Sequence, residues 1–121
     1  MLSQGRSAPS GEAILGELID GLPLVALVAN DSAHYVVANR QASAVTGYSN
    51  RELRASSVWD LTPSGMRQDN DALWRAFLQQ REQVGDHVLL TKDGQSITAA
   101  YAALAHVLPG LHLSLMSPKQ R

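Results

Sequence analysis

The chain holds four histidines, His34, His87, His106 and His112, and no cysteine. Imidazole changes charge near neutral pH and ligates metals, so these positions carry the chemistry to be weighed first. Two of them stand near carboxylates: Asp31 lies three residues before His34, and Asp86 adjoins His87. Such pairs act as general acids and bases when a nucleophile or bound substrate accompanies them. No GxSxG elbow, phosphate-binding loop or helix-spaced histidine pair occurs. The expectation is a non-catalytic chain. The lack of Cys removes disulfides, thiolate nucleophiles and Cys-based metal sites together, and a reducing, cytoplasmic setting is the expected one.

His106 and His112 flank Pro109-Gly110. If that dipeptide is the loop of a hairpin, Leu108 pairs with Leu111 and Val107 with His112. Strand alternation then sends His106 and His112 to opposite faces, and no shared metal site is expected. On that parity His106 shares the face of Leu104 and Leu113, where it is the internal pH-sensitive group. Trp59, Trp74 and Tyr101 are the large aromatics that could flank a planar cofactor, although rings at such spacings serve equally as plain core.

The elements that must position these groups are legible from periodicity and turn chemistry. Residues 11–20 place Ile14, Leu15, Leu18 and Ile19 on one helical face, with Ser10 as N-cap and Glu12 in the first turn. So short a helix is not stable alone. Its stripe must be covered by the chain's own sheet, by the same helix of a second chain, or by both. Residues 24–29 are nearly all apolar and read as a central strand. A turn at 30–32 leads to a second strand over 34–38. Asn39 caps a short helix that Gly47 stops. Ser49 and Glu52 match a capping box for the next one. The longest helical pattern, 65–84, puts Leu73, Trp74, Phe77 and Leu78 on one face, with its regular part starting near Asn70 and Gly85 closing it. Three strands follow, over 86–91, 95–108 and 111–116, joined by the Asp93-Gly94 and Pro109-Gly110 turns. The middle one is Ala-rich and apolar on both faces, which calls for cover on both.

With 121 residues the chain suits one domain, with 1–10 as a disordered tail, 11–116 folded and 117–121 as a C-terminal tail. Net charge is −1, which gives no electrostatic reason to expect nucleic acid or an anionic membrane as partner. The longest apolar run, 22–29, is far too short to span a bilayer.

This element order, an α+β arrangement, resembles that of a PAS domain, the small sensor module of signalling proteins. Asn39 stands where such domains often carry Asn after the second strand. Val45, Gly47 and Tyr48 are similar to the family's "tGY" step, Glu52-Leu53 to the "EL" after it, and Lys92-Asp93-Gly94 to its "kDG" hairpin. Trp59-Asp60-Leu61 up to Pro63 resembles the segment leading to the family's common Pro. The chain departs from the pattern at its end, where SPKQR replaces the usual step into a signalling helix.

The resemblance implies a five-stranded antiparallel sheet in order 2-1-5-4-3, with helices on one face and an N-terminal capping helix. It implies a ligand cavity, which we expect to be lined by Asn39, Val45, Tyr48, Trp59, Trp74, Phe77 and Leu78 from the helices. From the sheet, Leu104, His106 and Leu113 are expected to contribute. It further implies a sensory module that binds a small ligand or a signalling protein, or passes its state to an output domain. The expected homodimer forms through Ile14, Leu15, Leu18 and Ile19. The alternative is a ligand-free dimerisation domain. Flavin members that form a cysteine adduct are excluded by the missing Cys; non-covalent flavin and haem stay open. Haem members take an axial His from the long helix. Residues 65–84 contain none, so His87 is the nearest candidate, although its ordinary reading is an exposed residue at a strand start.

Overall fold

The first three helices each begin at a residue whose side chain accepts from an amide of the first turn. A computed structural model of the chain describes residues 10–66 and 69–119. The expected tail over 1–10 lies outside the described residues except for Ser10. The Ser10 hydroxyl accepts from the Ala13 amide at 3.1 Å and starts α1, Gly11–Asp20. Strands β1, Val25–Ala29, and β2, Tyr35–Ala38, form the first hairpin. Asn39 caps α2, Arg40–Thr46, which Gly47 ends with φ 82°, the left-handed region open to glycine. Ser49 and Glu52 form the reciprocal capping box of α3, Asn50–Arg54, at 3.1 and 2.9 Å. A 3-10 turn, Val58–Leu61, then leads to α4, Asn70–Gln80. The chain closes with β3, Glu82–Leu90, β4, Ser96–Leu108, and β5, Leu111–Pro118. All sheet neighbours are antiparallel, in the order β2-β1-β5-β4-β3 expected of the fold.

Three boundaries differ from the sequence reading. Helix α4 ends at Gln80 rather than 84, because Arg81 takes the left-handed capping conformation (φ 74°) and its amide bonds to the Phe77 carbonyl. Strand β3 therefore starts at Glu82 rather than 86. The long β4 offers partners along that whole stretch, from Glu82–Leu104 to Leu90–Ser96. Strand β5 runs past Met116 to Pro118, which lies opposite Ala99.

The sheet is covered on both faces over β1. Val25, Leu27 and Ala29 face α2 and α3, together with Ala42 and Leu53. Ala26 and Val28 face the other way, against Leu15 and Ile19 of α1. Thus α2, α3 and α4 share one face and α1 caps the other. The cover is unequal along the sheet. Every residue of β1 is buried, whereas Leu89 alone is buried in β3.

Two bulges interrupt the alternation. Val28 lies opposite Val37 but Ala29 lies opposite Tyr35, so Val36 is an extra residue in β2. Tyr35 thereby joins Ala38 on the α4 face, while Val37 packs under α1. In β4, Leu104 pairs with Leu113 and Leu108 with Leu111, which leaves Ala105, His106 and Val107 opposite His112 alone. His106 absorbs the irregularity with φ 57°.

Candidate functional site

Between α4 and the sheet lies a half-open cavity of about 650 Å³. Helix α4 contributes Leu73, Trp74 and Phe77 to its wall, and the 3-10 turn contributes Val58 and Trp59. The floor is the sheet: Ala29, Tyr35, His87, Tyr101, Ala103 and Met116 lie under the helix. Short alanines at 29 and 103 leave the space that larger residues would fill.

The aromatic wall is a connected set. Trp74 meets Trp59 edge-on with ring centroids 6.3 Å apart and tilts against Phe77 at 5.4 Å. It is pinned by a hydrogen bond, the indole N–H donating to the Asp31 carbonyl at 2.7 Å. Such edge-to-face arrays are favoured by the ring quadrupoles and hold their members in place.

Asp31 also fixes His112, which is 2% exposed. The His106 amide donates to His112 Nδ1 at 2.9 Å, and His112 Nε2 faces Asp31 Oδ1 at 2.8 Å. An amide donor on Nδ1 leaves that nitrogen without a proton, so the proton sits on Nε2 and points to the carboxylate. The two imidazoles meet edge-on at 4.6 Å. This corrects the parity argument that separated His106 and His112: the loop has two residues as expected, but the β4 bulge turns the His106 peptide back onto His112. Asp31, His106 and His112 even offer ligand atoms all within 4.8 Å of one another. Both nitrogens of His112 are, however, already engaged. A metal would find a lone pair there only by displacing the His106 amide. The arrangement is a hydrogen-bonded end wall of the cavity.

The Tyr35 hydroxyl is different. Tyr35 is 3% exposed, lines the cavity, and makes no side-chain hydrogen bond among the described residues. Burial pushes its ionisation far up, and the Asp60 carboxylate adds to that, so it stays a protonated donor. On the opposite side His87 stands in mid-strand, half-buried, with its ring 5.5 Å from that of Tyr101. Burial lowers its pKa and favours the uncharged imidazole. The Tyr101 hydroxyl is taken, donating to Gln83 Oε1 at 3.0 Å.

Of the ten residues expected to line the cavity, the structure brings Trp59, Trp74 and Phe77 to it. Leu78 packs beside them against Ala103 and Ala105. His106 lies behind the His112 wall. Val45 and Tyr48 pack into the core under α2 and α3. Asn39 is 1% exposed and fully used in holding the frame: its Oδ1 accepts from Ala26 and Ala42 amides, and its Nδ2 donates to the Ile19 and Leu24 carbonyls. Leu113 lies on the opposite face under α1, and its partner Leu104 is on that face too. Sequence reasoning missed Tyr35, which only the β2 bulge turns inward, and placed His87 at a strand end because β3 was read too short. Of the four residues expected at a dimer interface, Leu15 and Ile19 are buried against the chain's own sheet; Ile14 and Leu18 are 40% and 67% exposed.

Among the described residues no lysine or arginine lines the cavity. The propionates of a haem or the phosphate of a flavin would meet no compensating charge there. The described lining thus supplies neutral donors rather than a cation for those groups. No helix among the described residues is long and apolar enough to cross a membrane.

Solved structures share this architecture. The PAS domain of an HTR-like protein from Haloarcula marismortui superposes with a TM-score of 0.74 at 18% identity, over 88% of this chain and 89% of that one. A PAS domain from Colwellia psychrerythraea gives 0.73 at 15% identity, covering 88% and 94%. A domain of a sensory box sensor histidine kinase/response regulator from Geobacter sulfurreducens gives 0.69 at 20%, covering 85% and 90%. Among curated proteins no match is found. Residues 19–107 match the family model of the PAS fold, and the chain belongs to that family.

Proposed function

We propose that the chain is a non-catalytic, cytoplasmic sensory module of a signalling protein, which binds a small molecule between α4 and the sheet. The observation that carries this reading is the aromatic-walled cavity, whose size lies in the range of small-molecule sites. Occupancy shifts the population between arrangements of α4 and the sheet, and the strands relay the change to α1 on the far face. There Ile14 and Leu18 of α1 lie on the same side of the sheet as Leu104, which is 44% exposed. These residues are the proposed contact with a second copy or a partner domain.

The test is an absorption spectrum of protein purified without added ligand, followed by mass spectrometry of the denatured supernatant. The expected outcome is a colourless protein that releases a small organic molecule. A Soret band or flavin spectrum would overturn the cofactor argument. The second reading, a ligand-free dimerisation domain, draws on the exposed apolar residues of the outer face. Leu18→Glu separates the interface from the cavity: sedimentation is expected to show dimers for the parent chain and monomers for the variant. A dimer that survives the substitution removes α1 from the interface.

A further inference from the structure

We propose, building on the reading of the cavity as a ligand site, that its ligand is an uncharged fused-ring aromatic whose hydrogen-bond acceptor meets the Tyr35 hydroxyl. Three observations converge on that class.

The first is the hydroxyl itself. A hydroxyl that opens onto a cavity and has no protein partner is free to meet a ligand's acceptor. Tyr35 is 97% buried by the complement of its 3% exposure, faces the cavity and has no partner among the described residues. As a protonated donor it asks for an acceptor, such as a carbonyl or a ring nitrogen.

The second is charge. The described lining has no Lys or Arg, and Glu82, exposed, is its carboxylate. An anion would find neutral hydroxyl and amide donors there but no positive charge among the described residues to offset its lost hydration. A cation would find aromatic faces but would present no acceptor to Tyr35, and it would stand near an uncharged His87.

The third is shape. Trp59, Trp74 and Phe77 form one wall, and Ala29 and Ala103 keep the facing floor low. The edges and faces of those rings, over a low floor, offer aromatic contact to a flat system of two or three rings.

Isothermal titration of the whole chain with four probes tests this: chromone, naphthalene, 2-naphthoate and N-methylquinolinium. They have nearly one shape and differ in acceptor and charge. Chromone is expected to bind about tenfold tighter than naphthalene, the usual scale of one neutral hydrogen bond, and the two ions weaker still. Tyr35→Phe is expected to bring chromone down to the naphthalene level while naphthalene binds as before, which also shows that the variant is folded. Tightest binding by either ion, equal binding of chromone and naphthalene, or a chromone preference that survives Tyr35→Phe overturns the proposal and leaves the cavity a ligand site. Failure of all four probes to bind overturns the ligand-site reading itself and the proposal with it.

Discussion

The two halves of the sheet are built differently. Around β1 and β2 the packing is closed: α1 lies on one face, α2 and α3 on the other, and Val25 to Val28 have no exposed surface. Its buried polar group, Asn39, makes four hydrogen bonds. Around β3 and β4 the packing is open. Helix α4 stands over a cavity, and Tyr35 reaches into it with an unpaired hydroxyl. Three of the four non-glycine residues with left-handed backbone, Asp69, Arg81 and His106, border this half, against Ala33 in the other. Strained residues persist where the surroundings enforce them, and they gather at functional sites. The contrast teaches that one half specifies the fold and thereby frees the other to keep a void and a bent strand, with Tyr35 of β2 aiming its hydroxyl into that void.

Breaking the closed half is expected to have the largest effect. Asn39→Ala removes four hydrogen bonds and strands buried backbone groups in α1, β1 and α2. Urea unfolding should show a loss of about 3 kcal/mol, with probe binding unchanged in the molecules that remain folded. A loss below about 1 kcal/mol would mean that water or backbone shifts replace those bonds.

The sharpest comparison uses one substitution at two places. Ala42 has no exposed surface and sits in the closed core, so Ala42→Leu overpacks it and should destabilise by about 2 kcal/mol. Ala103 lines the cavity, so Ala103→Leu has room to enter. Its stability should stay within about 1 kcal/mol of the parent while chromone binding falls steeply. Equal destabilisation by the two would show that the cavity collapses in solution.

The smallest effect is a pH slope. Burial lowers the pKa of His87 below its ordinary 6.5. The unfolded chain therefore takes up the proton first as pH falls. Stability should be full above about pH 6.5 and decline from there down toward the lowered folded value. His87→Phe should remove that part of the decline in thermal melts taken between pH 7 and 5. An identical slope in the variant would assign the acid sensitivity to another group.

How much was legible follows the range of the interactions involved. The cap at Ser10, the Asn39 cap, the Gly47 stop, the Ser49–Glu52 box and the Asp93-Gly94 turn are each settled within a few residues, and all were readable. So was the strand order, once those local signals together resembled a known family. Trp59, Trp74 and Phe77 were readable as a site because large rings ahead of and along one amphipathic helix must meet the sheet. The remaining lining was not. Tyr35 and Val37 are two residues apart and by alternation share a face, yet they lie on opposite ones. His106 and His112 were separated by the same rule and are in contact.

The sequence by itself determined the order of the elements, their caps and turns, and the apolar character of both faces of the sheet, because these depend on near neighbours along the chain. The tertiary structure alone decided which residues share a face in β2 and β4, that Arg81 rather than Gly85 ends α4, and that Leu15 and Ile19 are used by the chain's own sheet. A bulge or a cap of this kind wins by the packing and pairing it permits across the sheet, between residues far apart in sequence. No local pattern records that balance.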